Sequence, residues 1–311
     1  MSTEGIATPR VPAIDGEYWA IGTYPDLPEY TYSSGERAGE HEVVDHAIFQ
    51  SADGAWHLWA CVRGLRIGRL LYHWEGESLE HGPWQPRGVA MRAEAAYGES
   101  INDFYGEEWI QAPHVIVADG TYYMFYGGHN TEMGECQICL AVSADGRAFS
   151  RHTDARGFSR VFTGPGEARD PMVLRVGDRY HCYYCGHDTG SRKPCKVYCR
   201  TSDDLVTWSD YREVSWGGHS SGVGPWSAEC PFVVHHEGYY YLFRTSEYRP
   251  PARTHVYRSR DPFDFGLGTD AKWVTTLRVA APEIVQLDDQ YYISTVEDLK
   301  GGVKLARLKW L

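Results

Sequence analysis

The chain has 311 residues and a formal net charge of −12, with 30 Lys and Arg against 42 Asp and Glu. That balance argues against nucleic acid, whose binding rests on neutralising phosphates with Lys and Arg, and against an anionic membrane surface. No apolar run reaches the roughly 18 residues that a membrane span needs, while 42% hydrophobic and 14% aromatic content suits a packed globular core.

The chain begins MSTEGIATPRVPAIDGEYW, with no charged segment leading into an apolar stretch. No secretory signal is read there, and a cytoplasmic location is expected. The strand-like run EYWAIGTY follows. One phrase then recurs five times: DHAIFQSADGAWHLW, QAPHVIVADGTYYMFY, RDPMVLRVGDRYHCYY, ECPFVVHHEGYYYLFR and APEIVQLDDQYYIST. Each is a β-rich run, an acidic or Gly-containing turn, and an aromatic run. The aromatics after the turns are Trp56, Tyr122, Tyr180, Tyr240 and Tyr291, with spacings of 66, 58, 60 and 51 residues. A period of that size with hairpin chemistry in each copy predicts a five-bladed β-propeller, all-β, with four-stranded antiparallel blades around a central channel. One such domain accounts for residues 1–311.

Each repeat has a second half: ICLAVSADGRAFSRH, KVYCRTSDDLVTWSDY and THVYRSRDPFDFG supply a third strand, a turn and a fourth strand. Asp-rich turns fit because Asp tolerates left-handed backbone and bonds nearby amides. No helical periodicity of useful length occurs. Residues 84–108, 151–168 and 212–228 read as irregular loops shaping one rim. The fifth repeat has only three strands, so the N-terminal segment is expected to supply the fourth and close the ring, which otherwise leaves an exposed edge. The tyrosine runs recur at one place in each blade and read as packing between blades. Gly128-His129 and Gly186-His187 end second strands, at the channel rim or in turns.

Eight cysteines include two CxxC spacings, Cys136/Cys139 and Cys182/Cys185. Both lie in strand-like runs, where residues three apart face opposite ways, so one strand cannot easily aim both thiolates at one zinc ion. Buried reduced thiols are expected.

The innermost strand of each blade starts near the channel axis, so these starts converge in space. Three carry a carboxylate: Asp45, Asp170 and Glu229. Gln111 and Ala280 stand at the other two. Three acids around one axis are what glycosidic hydrolysis uses: a proton donor, a base or nucleophile, and an acid that holds the sugar and tunes the donor. Trp109, Trp226, Phe104 and Tyr105 precede these strands and offer apolar platforms for sugar faces. Gln111, His114 and Ser227 offer hydroxyl-bonding groups. Arg169 precedes Asp170 and in a regular strand projects to the opposite face. Should Asp45 turn away, Glu42 or Asp103 is the next acid to consider.

The set Asp45, Arg169-Asp170-Pro171 and Glu229-Cys230-Pro231 resembles the five-bladed glycosidases of glycoside hydrolase families 32, 43, 62 and 68. Arg-Asp-Pro and Glu-Cys resemble two of the three short motifs of family 32. The first motif departs: Val44-Asp45-His46-Ala47 stands where family 32 has Asn-Asp-Pro-Asn-Gly, and Asp45 falls one place early relative to its turn. The chain also ends after the fifth repeat, where family 32 continues into a β-sandwich, so it looks more like family 43 or 62. The resemblance implies a hydrolase of a short glycoside or oligosaccharide, of arabinofuranosyl or fructofuranosyl type. It implies Asp45 as base or nucleophile, Asp170 as stabilising acid and Glu229 as proton donor, with Trp109, Gln111, His114, Arg169, Trp226, Ser227 and Glu283 around the sugar. No cofactor is required by that chemistry. Family 43 leaves room for a channel-centre calcium, near His46, His114 and Glu283. The alternatives are a phosphorylase of the related family 130, whose phosphate three converging acids would repel, and a noncatalytic sugar-binding propeller.

Overall fold

The computed structural model describes residues 10–32, 40–99, 108–129, 135–188, 194–218, 224–296 and 299–311. Asp103, Phe104 and Tyr105 lie outside these residues. The first strand, β1 (Pro12–Gly22), is followed by blade 1: β2 (Glu42–Gln50), β3 (Trp56–Leu65), β4 (Gly68–Gly76) and β5 (Gln85–Met91). Blade 2 holds β6 (Ile110–Ala118), β7 (Thr121–Gly128), β8 (Gln137–Ser143), the short β9 (Ser150–Arg151) and β10 (Arg160–Thr163). Blade 3 holds β11 (Arg169–Val176), β12 (Arg179–Gly186), β13 (Lys196–Ser202) and β14 (Arg212–Trp216). Blade 4 holds β15 (Glu229–His236), β16 (Tyr239–Glu247), β17 (Arg253–Ser259) and β18 (Trp273–Leu277). Blade 5 holds β19 (Ile284–Leu287), β20 (Gln290–Thr295) and β21 (Val303–Trp310), and β1 pairs antiparallel with β21. The N-terminal strand thus closes the ring, as the short last repeat requires. Among the described residues the helical content is a single 3₁₀ turn, Ala95–Tyr97, and no helix is long and apolar enough to cross a membrane.

The hairpins follow from their turn residues. Asp119-Gly120 and Glu237-Gly238 each hold two consecutive positive φ angles, the backbone a two-residue turn needs to match strand twist. The aromatic runs after these turns build the core. Tyr126, Tyr183, Tyr184, Tyr198, Tyr241 and Tyr257 are fully buried, so the tyrosine runs are packing. The three stretches read as loops each contain an outermost strand: β5, β10 or β14. These strands are short and their exposure does not alternate cleanly; β5 runs exposed for most of its length, so the sequence has no two-residue period to announce them. The fourth strands also begin later than the sequence reading put them, at Arg160, Arg212 and Trp273.

The innermost strands β2, β6, β11 and β15 pack side by side around the channel. Each of β6, β11 and β15 is interrupted near its start by a break in register, after Gln111, Arg169 and Glu229. The next residue is left-handed, with φ of 49° at Ala112, 57° at Asp170 and 46° at Cys230, and Ala281 before β19 matches at 47°. Each of the four precedes a proline. The repeat therefore presents two successive positions to the channel mouth. Arg169, Glu229, Gln111 and Ala280 share the first; Asp170, Cys230, Ala112 and Ala281 share the second. Asp170 and Glu229 are not equivalents, as their similar motifs suggested, but neighbours in the repeat frame. In β2 the register breaks between Val44 and His46, and Asp45 is the bulged residue. That bulge accounts for its apparent one-place offset.

All eight cysteines are free. Cys182 and Cys185 belong to different core clusters, on opposite faces of β12, so this CxxC does not form a metal knuckle.

Candidate active site

The three bulges bring Asp45, Asp170 and Glu229 to one cavity of about 1330 Å³ at the channel mouth. Trp109, Gln111, Arg169 and Trp226 also line it, with Glu42, Arg63, Arg69, His129 and Tyr248. Asp45 is buried, and its Oδ1 accepts hydrogen bonds from the Tyr248 hydroxyl at 2.9 Å and the Cys230 thiol at 3.2 Å. Asp170 is also buried; its Oδ2 accepts from the Cys230 amide at 3.1 Å and the Cys185 thiol at 2.9 Å. Cys230 therefore ties the two aspartates together, one through its side chain and one through its backbone. The left-handed φ of Cys230 turns its amide off the sheet ladder. Oxygens of Asp45 and Asp170 and the Cys230 sulfur all lie within 4.8 Å of one another.

Glu229 Oε1 accepts from Arg169 Nη2 at 3.0 Å and Nε at 3.2 Å. Arg169 also lies 3.9 Å from Asp170 and under the ring of Trp226, at 5.2 Å. The expectation that Arg169 and Asp170 face apart thus fails, because the left-handed residue cancels strand alternation. Burial pushes the Glu229 carboxyl up to about 8, with Asp170, Cys195 and Asp45 adding to the rise; Arg169 pulls the other way without outweighing them. Asp170 is raised too, by burial first and by Asp45 next. One acid in the pocket is therefore held protonated at neutral pH beside two further acids, the arrangement that acid–base catalysis needs.

The remaining expected residues divide. Trp109 stacks beneath the Arg69 guanidinium, 3.6 Å from its ring centre. Trp226 is 47% exposed at the rim. Gln111 is buried, and its Oε1 has no hydrogen-bond partner among the described residues, which leaves an acceptor for a ligand hydroxyl. Ser227 is outside the pocket lining: its hydroxyl donates to the Gly224 carbonyl at 2.8 Å and holds a turn. His114 and Glu283 lie away from the pocket lining. The His114 ring is 3.6 Å from the Glu283 carboxylate and 3.2 Å from the Val173 carbonyl. His129 lines the pocket, whereas His187 is buried against Glu167.

The channel centre is a space of about 20 Å³, lined by Pro113, Pro171, Pro231, Pro282, Met172 and Phe232 together with Asp45, His46, Asp170 and Glu283. Ca²⁺ seeks six to eight oxygen ligands, and the carboxylates that would hold it here are those of Asp45, Asp170 and Glu283. Glu283 is engaged with His114. The His46 ring is bonded to Ser294 Oγ at 2.7 Å, and burial pushes it down to about 4, so it stays neutral.

The sequence pattern of the glycosyl hydrolases family 43 matches residues 74–266. The chain belongs to family 43. It is a glycoside hydrolase. The family-43 match spans Asp170 and Glu229 and stops short of Asp45. Similar solved structures include a thermostable family-43 glycoside hydrolase, with TM-score 0.63, 19% identity, and coverage of 91% of this chain and 92% of that one. An α-L-arabinofuranosidase from Lactobacillus brevis has TM-score 0.62 and 12% identity, with 86% and 90% covered. A family-43 enzyme from Xanthomonas citri, complexed with xylose, has TM-score 0.61 and 16% identity, with 90% of each chain covered. At these identities the likeness is one of fold. No curated protein matches the chain.

Sequence reasoning did not single out Tyr248, Arg63 or Arg69 as pocket residues. They sit at the ends of second and third strands or just beyond them, where no short motif marks them. Cys230 was visible as part of Glu-Cys, but not its role in bridging Asp45 and Asp170.

Proposed function

We propose that this family-43 enzyme hydrolyses a short glycoside of furanoside type, arabinofuranosyl or fructofuranosyl, in the pocket at the channel mouth. Glu229 gives its proton to the glycosidic oxygen as the bond from the anomeric carbon to that oxygen breaks. Asp45 takes a proton from the attacking water, or attacks the anomeric carbon itself. Asp170 stabilises the charge that develops and raises the Glu229 carboxyl. The single observation that carries the reading is the buried Glu229 carboxyl, raised to about 8 within a pocket that also holds Asp45 and Asp170. An arabinofuranosidase among the structural neighbours supports the furanoside assignment.

Leaving-group dependence tests the roles. Glu229→Gln keeps size and hydrogen bonding but has no proton to give. Turnover of an alkyl furanoside should fall by roughly 10²–10⁴-fold, the usual contribution of positioned acid catalysis. An aryl furanoside with an activated leaving group should lose far less in glycosidic cleavage. Asp45→Asn should fail alike on both, since attack at carbon is needed whatever leaves. Equal losses on both substrates for Glu229→Gln, or normal turnover in either variant, would overturn the assignment. Following the product anomer by NMR separates a base from a nucleophile at Asp45.

A further inference from the structure

Of the pocket's arginines, one makes no ion pair with a carboxylate among the described residues. Four arginines line the pocket: Arg63, Arg69, Arg169 and Arg249. Arg169 is bonded to Glu229, Arg63 to Glu42 at 2.8 Å, and Arg249 reaches Glu42 at 3.5 Å. Arg69 has no carboxylate within ion-pair reach and no side-chain hydrogen bond among the described residues. Its guanidinium carbon lies 3.6 Å from the centre of the Trp109 ring, at stacking distance.

The position is built rather than incidental. Gly68 forms a parallel bridge to Glu108, with Arg69 N donating to the Glu108 carbonyl at 3.0 Å and Glu108 N to the Ile67 carbonyl at 2.8 Å. This strap joins blade 1 to the strand start of blade 2 and fixes Arg69 against Trp109. Gly68 has φ of +104°, and a Cβ there would lie 2.2 Å from the Glu108 carbonyl oxygen, so only glycine permits the approach. A carboxylate stands within the strap itself, on Glu108, yet it is turned to Arg92. Asp45 and Asp170 act on Arg69 through space without bonding to it, and a buried arginine with no bonded acid is costly unless a ligand completes it.

We propose that Arg69, stacked on Trp109, is the recognition site for the carboxylate of a uronic acid residue in the substrate. Stacking engages the face of the guanidinium and leaves its in-plane N–H donors for a ligand, and a planar carboxylate matches that fork in a bidentate manner. The single positive charge suits a monoanion; a phosphate dianion would bring more charge toward Asp45 and Asp170. This deepens the hydrolase reading of the same pocket and rests on it.

The test is binding by calorimetry to the Glu229→Gln protein, so that turnover does not intervene. The probes are glucuronate and galacturonate, each paired with its neutral hexose, in 50 mM salt. At least one acid should bind tenfold or more tightly than its neutral partner, and the preference should shrink as salt is raised. Arg69→Gln should erase the preference, and Arg69→Lys should restore only part of it, because a point charge replaces the fork. The acid-to-neutral ratio is read first on protein that retains Arg69, so misfolding of a variant cannot hide the answer. No preference for the acid in either pair, absent binding included, overturns the proposal, as does an equal loss for acid and hexose in Arg69→Gln. Failure of the hydrolase roles has a separate signature, namely retained turnover in Glu229→Gln.

Discussion

At the residue scale, the chemistry turns on one proton. An ordinary glutamate would lose it near pH 4.3; Glu229 keeps it to about 8. Because the protonated form is the donor, kcat/KM should hold through neutral pH and fall as pH rises through about 8. Arg169 is the group that holds this value down. Arg169→Met removes a positive charge that favours the carboxylate, so the alkaline limb should move to higher pH while the rate at its plateau falls through lost positioning. A limb that stays in place or moves down would show that Arg169 does not set the proton affinity. Tyr248 acts on the other carboxylate. Tyr248→Phe deletes a hydrogen bond to Asp45, and bonds to charged groups carry about 1.5–3 kcal/mol. A drop of roughly tenfold or more in kcat with little change in KM is expected by that measure. Asp170 and Glu229 were legible in the sequence because each begins a proline-containing phrase. Asp45 was legible only through the repeat register, and Tyr248 not at all, since it follows the end of β16 in a segment with no repeated motif.

At the element scale, the site is a product of irregularity in otherwise regular strands. A straight β11 would send Arg169 and Asp170 to opposite faces; one left-handed residue before proline sends both into the pocket. The prolines and turn residues announced where these strands start. The break in alternation was hidden, because a bulge changes side-chain direction without changing composition. The same blindness covers the outer strands, whose partial exposure leaves no alternating pattern. The Gly68 strap is another such device, and it is testable independently of any ligand. Gly68→Ala forces a Cβ against the Glu108 carbonyl and a strained positive φ, at a cost of about 1–3 kcal/mol. Thermal stability should fall, and kcat/KM should fall further than the stability loss explains, because Trp109 and Arg69 lose their common support. Unchanged melting with unchanged kcat/KM would show that the strap is neither tight nor needed.

At the scale of the whole molecule, the pocket exists only while the ring is closed. Its walls come mostly from blades 1 to 4, with Leu299 from blade 5, and blade 1 is held against blade 5 through the first strand. Ile21 is fully buried, and the Trp84 amide donates to its carbonyl at 2.9 Å. Val11 and Leu311 exchange backbone bonds at 3.0 and 2.9 Å beyond the end of the β1–β21 ladder. A chain whose last strand pairs with its first cannot open at one blade without leaving an unpaired edge on β21 and unsealing the core between blades 5 and 1. Deleting residues through Gly22 should therefore do more than remove one strand's contacts. The shortened protein should lose the single cooperative melt seen by far-ultraviolet circular dichroism and tryptophan fluorescence together, and it should associate through the exposed edge on gel filtration. A synthetic peptide of residues 10–22 should restore monomeric behaviour and activity in part, because strand addition supplies the missing backbone partners. If the deletion melts like the full chain and keeps its turnover, closure by β1 contributes nothing to the pocket, and the convergence of Asp45 with Asp170 and Glu229 must be maintained by blades 1 to 4 alone.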